Sequence, residues 1–410
     1  MDRRYQSKMK ILFLSGADQY GGTYQMAKNI LQYVPLYDSR IEYIVLTQKH
    51  GPLNQWCTQQ GIKNYCLPYR YCTYLPSHNR FLSFVKHIVK MCLVSVSNFV
   101  ALKKVEQLGI LGSIDLIHIN IERDLFGLII SKKYNIPSVM HFREFLKTDF
   151  CVDLLYPNQI SFMNQYSDRF LAVSDAVKNY WIMYYGLDSK KVYTIYDGID
   201  PKSVRYKKSD NNKNPGLRLV MCGTISEGKG QFELVRAISE LMLLEKINLT
   251  VDFYGYVPPS GENYYNEMQL YIKKSGMKDI FFFNGYCENN KLRNLLTKYD
   301  VGVMCSKSEG FGLVTVEYML AGLCVIASNT GANLELISCG ETGFLYPLGN
   351  IEKLKSIILH IYNNRENAKI IAKNAHKNAE LMYTMKKSAL DLIKMYHEVC
   401  EGKVNETPNY

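Results

Sequence analysis

Residues 306–322 read Ser306-Lys-Ser-Glu309-Gly310-Phe311-Gly312-Leu313-Val-Thr-Val-Glu317-Tyr-Met-Leu-Ala-Gly322. A strand-like run, Asp300-Val-Gly-Val-Met-Cys-Ser306, enters this turn, and Leu313, Val316, Met319 and Leu320 follow at helical spacing. Gly310 and Gly312 let backbone N–H groups approach a ligand closely. The helix that opens at Leu313 turns its positive dipole end toward the same place, which suits a phosphate. Glu309 and Glu317 add acidic side chains able to hold hydroxyl groups. Together these residues imply a pocket for a nucleotide-linked sugar.

Outward from this stretch, short β-rich runs alternate with helix-length spacers. Strands are expected at 10–15, 41–47, 64–67, 115–119, 138–141, 169–174 and 192–196, with helical patterns such as 23–33, 125–134 and 175–185 between them. A polar segment, 200–215, reads as a linker. The alternation then restarts at 217–222, 250–254, 280–284, 301–306, 324–327 and 343–346. Strands spaced by helices predict βαβ units and parallel sheets. The expected class is therefore α/β, with two doubly wound Rossmann-like domains, residues 1–200 and 201–380. Ligands would sit at the carboxyl ends of the strands. A length of 410 residues exceeds what one core usually supports and agrees with two domains.

Ser-Glu-Gly-Phe-Gly, a second Glu eight residues after the first, then Ala321-Gly322 and the apolar run Cys324-Val-Ile-Ala327 resemble glycosyltransferase family 4. The resemblance runs over about residues 10–380 and implies a GT-B architecture: a retaining enzyme whose two domains face each other across a cleft. It further implies that residues 381–410 form a last helix returning to the first domain. Glu309 would hold hydroxyls of the donor sugar and Glu317 the ribose, with Gly310, Phe311, Gly312 and Leu313 around the diphosphate. Gly21 and Gly22, between the first strand and first helix within Ala17–Thr23, match a Gly-Gly turn of the family. After the strand at 217–222, Gly223 and Lys229 match a diphosphate-binding motif that also uses an Arg; here that position holds Thr224. In Asn284-Gly-Tyr286-Cys-Glu288 the resemblance assigns base contacts to the loop backbone, and Tyr286 could stack on the base. His141, in His141-Phe-Arg143-Glu144, matches a His-x-x-Glu setting that faces the reacting sugar. His141 and Glu309 are thus the expected catalytic residues.

The absences are also informative. There is no Asp-x-Asp triplet, no Gly-x-Ser-x-Gly elbow and no phosphate loop of the Gly-x-x-x-x-Gly-Lys-Ser/Thr type. No metal and no cofactor are expected, and a nucleoside-diphosphate sugar linked to uridine or guanosine would be the co-substrate. Eleven scattered cysteines fit a reducing cytoplasm, and the run 11–14 is too short for a signal peptide. The net charge of +11 points to an anionic partner. Without a nucleic-acid motif, an anionic membrane surface is the expected one. Residues 81–104 mix Phe, Leu, Ile and Val with Lys86, His87 and Lys90 as a surface helix would, and their longest uncharged run, 91–102, is short for a crossing. The implied setting is bacterial cell-surface polysaccharide assembly, capsule or lipopolysaccharide, on a lipid-linked acceptor at the inner face of the membrane. A sugar-nucleotide epimerase of similar architecture and an inert nucleotide-binding module are the alternatives.

Overall fold

The structure is a computed structural model that describes residues 8–16, 21–77, 79–207 and 216–406, with side chains up to 402. Its strands are β1 Met9–Ser15, β2 Ile41–Thr47, β3 Lys63–Cys66, β4 Thr73–Tyr74, β5 Leu116–Ile119, β6 Ser138–Phe142, β7 Asp153–Leu154, β8 Arg169–Ala172 and β9 Val192–Thr194 in the first half. In the second half they are β10 Leu217–Cys222, β11 Leu249–Tyr254, β12 Phe281–Phe283, β13 Val301–Met304, β14 Cys324–Ser328 and β15 Phe344–Tyr346. The chain divides into two compact units, Met1–Asp197 with Met385–Tyr410, and Gly198–Thr384.

In the first unit seven strands pair in the order β3-β2-β1-β5-β6-β8-β9, each neighbouring pair parallel. The apolar run Ile11–Leu14 is fully buried because helices cover both faces of such a sheet. The helix Met385–Glu406 packs against the helix Gly22–Tyr37 and adds Leu392, Met395, Tyr396 and Val399 to the core around Phe13 and Val45. The pair β4–β7 is antiparallel and two residues long, too short to leave a periodic trace.

The second unit repeats the plan with six parallel strands, β12-β11-β10-β13-β14-β15. Its helix Leu313–Ala321 lies tight on β13: a Cβ at Gly302 would come within 2.3 Å of the Tyr318 ring. The Tyr318 hydroxyl in turn accepts the Cys222 N–H at 2.7 Å, tying this helix to the end of β10.

The crossing between units falls at Asp197–Gly198, earlier than the linker expected at 200–215. Residues up to 207 already belong to the second unit: Lys207 donates its backbone N–H to Ala321 and its ammonium to Asp300 at 2.6 Å. The rest of that stretch, 208–215, lies outside the described residues, as do 1–7 and 17–20.

Residues 80–107 form one helix of 28 residues with mean hydropathy 1.4 over its best window, long and apolar enough by composition to cross a membrane.

Candidate functional site

Both sheets reverse strand order once, β1 against β5 and β10 against β13. Such a switch point opens a crevice at the carboxyl edge, where successive loops diverge.

In the second unit the loops after β10 and β13 meet there. Lys307 donates its N–H to the Gly228 carbonyl at 2.8 Å. Gly230 sits at φ 75°, where a Cβ would lie 2.2 Å from the Cys305 carbonyl oxygen, so only glycine permits this approach. The consequence is an ion pair between Lys229 Nζ and Glu309 Oε1 at 2.5 Å, from residues 80 positions apart. The turn is held from its other side by Ala332, whose N–H donates to the Glu309 carbonyl at 2.9 Å. Gly312 then leads into the helix Leu313–Ala321 without any side-chain cap, which leaves first-turn N–H groups to be met by something other than an N-cap. A lysine, a carboxylate and an uncapped helix start thus converge at one edge. Gly223 lies in the same loop system, donating its N–H to the Tyr254 carbonyl at 2.8 Å. Tyr286 follows β12 in a loop tied to its neighbour through Gly255 N–H and the Gly285 carbonyl, and its ring is exposed.

Glu317 is placed differently from Glu309. It is buried on the helix and accepts from Arg293 at 2.9 Å, while the same guanidinium donates to Ser203 Oγ at 3.0 Å. Burial pushes the Glu317 carboxyl above its ordinary range, with Arg293 opposing. Arg293 had no signal in the sequence beyond a basic residue among leucines on a short helix. Its role follows from a contact 24 positions away.

In the first unit the carboxyl edge carries a buried polar cluster. His141 is 1% exposed, and its Nδ1 faces Arg143 Nη2 at 3.3 Å. Its Nε2 has no hydrogen-bond partner among the described residues. Burial, together with Arg143 and His118, holds His141 neutral by lowering its pKa well below the usual value. Arg143 is fixed by Asp197 at 2.8 and 2.9 Å and by Asn120 at 2.9 Å. Beside them Glu122 is buried and Glu144 is half-buried. Burial raises both carboxyls, and Glu122 raises Glu144 further, with Arg123 opposing at 3.4 Å from Glu144. Asn120 and Glu122 were not singled out in the sequence, and Arg143 was noted only as a neighbour of His141, because only the fold brings these residues and Asp197 together. Gly21 precedes the helix Gly22–Tyr37 at its exposed start, and the neighbouring residues 17–20 are outside the described set. Among the described residues no group of three His, Cys, Asp or Glu side chains is arranged to hold a metal ion.

Two parallel α/β sheets, each with its polar loops gathered at a switch point, define a GT-B glycosyltransferase fold. HepE from Anabaena, solved in complex with UDP, aligns with a TM-score of 0.78 at 22% identity over 95% of this chain and all of that one. A glycosyltransferase from Rickettsia africae aligns with a TM-score of 0.77 at 19% identity over 96% of this chain and 98% of that one. Residues 204–378 match the family "Glycosyl transferases group 1" and residues 73–203 match "Glycosyltransferase Family 4". The chain belongs to this group 1, family 4 type of glycosyltransferase. Among relatives, an uncharacterised glycosyltransferase of Methanocaldococcus jannaschii is 26% identical over 70% of this chain and 76% of its own length. The lipopolysaccharide core biosynthesis mannosyltransferase LpcC of Rhizobium leguminosarum bv. viciae is 29% identical over 45% of this chain and 52% of its own, so the match spans about half of that relative.

Proposed function

We propose that this glycosyltransferase moves a sugar from a uridine or guanosine diphosphate to a lipid-linked glycan, with retention of anomeric configuration and without a metal. The Lys229–Glu309 pair at the β10/β13 switch point carries the reading. A lysine already in an ion pair can exchange its carboxylate for a diphosphate, and the freed Glu309 can then accept hydroxyls of the transferred sugar. The uncapped start of the helix Leu313–Ala321, with the turn Gly310–Gly312, supplies further donors to the same anion. Tyr286 offers an exposed ring to a base. Neutral His141, with a free Nε2, provides a donor to a sugar oxygen without adding a charge next to a developing oxocarbenium ion. Glu317 stays as the ribose ligand only through whatever acceptor capacity Arg293 leaves it.

Support for the setting comes from relatives that act in polysaccharide assembly by name, LpcC and the O-antigen biosynthesis glycosyltransferase WclY of Escherichia coli. A donor screen reading release of nucleoside diphosphate, with and without membrane-lipid extract, tests the reading. Release should depend on one donor class and rise with extract, EDTA should leave the rate unchanged, and the product should keep the donor's anomer. Release that is independent of any acceptor across all donors, or an inverted product, would overturn it.

A further inference from the structure

The helix Arg80–Gln107 buries Val94, Asn98, Ala101, Leu102 and Val105 against the first unit. Many of its other large apolar side chains face solvent, with Phe81 77%, Phe84 63%, Val96 63% and Phe99 60% exposed. Polar side chains also reach the protein. His87 Nε2 meets the Leu155 carbonyl at 2.6 Å, Asn98 Oδ1 accepts the Arg70 N–H at 3.0 Å, and Ser97 donates to the Pro68 carbonyl. A soluble surface helix keeps its outward face polar. The helix carries Arg80, Lys86, Lys90, Lys103 and Lys104 against one acidic residue, Glu106, which pairs with Lys103, and this balance complements an anionic surface. The hydrogen bonds of His87, Ser97 and Asn98 hold this helix along the first unit.

Beneath this helix is a cavity of about 350 Å³ with walls from Leu102, Leu125, Ile129 and Phe162, and Phe99 belongs both to its rim and to the exposed apolar row. Gln159 lines it at 1% exposure; its Oε1 accepts the Tyr156 N–H at 3.3 Å, and its Nε2 has no partner among the described residues. An amide donor left alone in an apolar wall is costly unless a ligand meets it. The Lys132 ammonium lies 5.6 Å from the centroid of the Phe162 ring, placing a cation near that wall. Walls that are mainly apolar, with Ser95, Asn98, Tyr156 and Asn158 also lining them, a buried amide donor without a partner among the described residues and a nearby cation match a hydrocarbon chain with an oxygen-bearing linkage and an anionic headgroup.

We propose that this cavity takes one chain of an anionic phospholipid while the helix Arg80–Gln107 lies in the bilayer surface. The site does not depend on the donor or on the transfer reaction. The test is binding of 11-(dansylamino)undecanoic acid to the full chain, read by fluorescence, beside co-sedimentation with phosphatidylglycerol–phosphatidylcholine vesicles at low salt. Saturable probe binding is expected, weakened about tenfold by Ile129→Trp, which fills the cavity. Gln159→Leu should weaken it less, and Lys132→Ala should equalise the probe with its uncharged methyl ester. The double change Phe84→Asp and Val89→Asp should abolish sedimentation while the probe still binds in solution. Absence of saturable binding, or native-like binding by both Ile129→Trp and Gln159→Leu with unchanged melting, would overturn the proposal. A dimer in sizing that Phe84→Asp dissolves would do the same, because a second copy would then cover the face. Since neither assay contains a sugar donor, a chain that binds the probe and transfers no sugar would sink only the functional reading.

Discussion

At the carboxyl edge of the second sheet Lys229 and Glu309 meet as an ion pair with the lysine side chain still one-third exposed, whereas at the same edge of the first sheet a buried Glu122 lies beside a half-buried Glu144. The first arrangement keeps charge available, since a partly solvated pair can trade partners when an anion arrives. The second neutralises charge: buried carboxyls are driven to hold protons, and His118 and His141 are driven to lose them. One topology therefore yields a loop system suited to gripping a diphosphate and another suited to neutral hydrogen bonding. What separates them is the burial of the side chains that follow the strands. The strand order is the same kind in both.

The largest expected effect tests whether the second unit contains sealed charge as well as open charge. Glu317→Ala leaves the Arg293 guanidinium buried and unpaired, at a cost of about 3–5 kcal/mol in denaturant unfolding. Wild-type stability for this variant would show that Arg293 finds water. Lys229→Ala should leave melting unchanged and lower the transfer rate about 100- to 1000-fold, the usual result of losing one preorganised donor to developing charge. A variant that loses stability and keeps its rate would reverse the contrast drawn above. Gly302→Ala drives a Cβ against the Tyr318 ring and should cost about 1–3 kcal/mol, read as a lower Tm.

A pH experiment sharpens the other side of the comparison. Asp124 is buried, and burial pushes its carboxyl up to about 7, with only the Phe126 N–H opposing. Between its unfolded value and about 7 the folded chain binds more protons than the unfolded one, so this group makes stability fall as pH rises through that window. Asp124→Asn keeps an acceptor for the Phe126 N–H and should flatten that slope in pH-dependent unfolding. The smallest effect is expected at Lys307 and Glu227, an exposed ion pair whose removal by Lys307→Ala should change neither stability nor rate measurably.

The sheets were legible because each strand is a short apolar run closed by a turn, the pattern a doubly covered parallel strand must have. The glycine turn at 310–312 was legible for the same local reason, and Lys229 through its motif. What the sequence withheld was partnership across distance. Nothing local joins Lys229 to Glu309, Arg293 to Glu317, or Arg143 to Asp197, because each pair spans 24 to 80 positions and exists only once strands align. The orientation of the helix Arg80–Gln107 was hidden too. Its residues announce amphipathicity without saying which side is outward, and only the inward hydrogen bonds of His87, Ser97 and Asn98 decide it.

The first unit is closed by residues that follow the whole second unit in the sequence. Tyr396 donates or accepts against His118 Nδ1 at 2.6 Å and packs with Leu392 and Val399 around β1 and β2, although 187 residues of the second unit, from Gly198 to Thr384, are translated in between. During synthesis the nascent first unit must therefore wait at the ribosome with a gap along the helix Gly22–Tyr37, while the second unit can complete itself from one uninterrupted stretch.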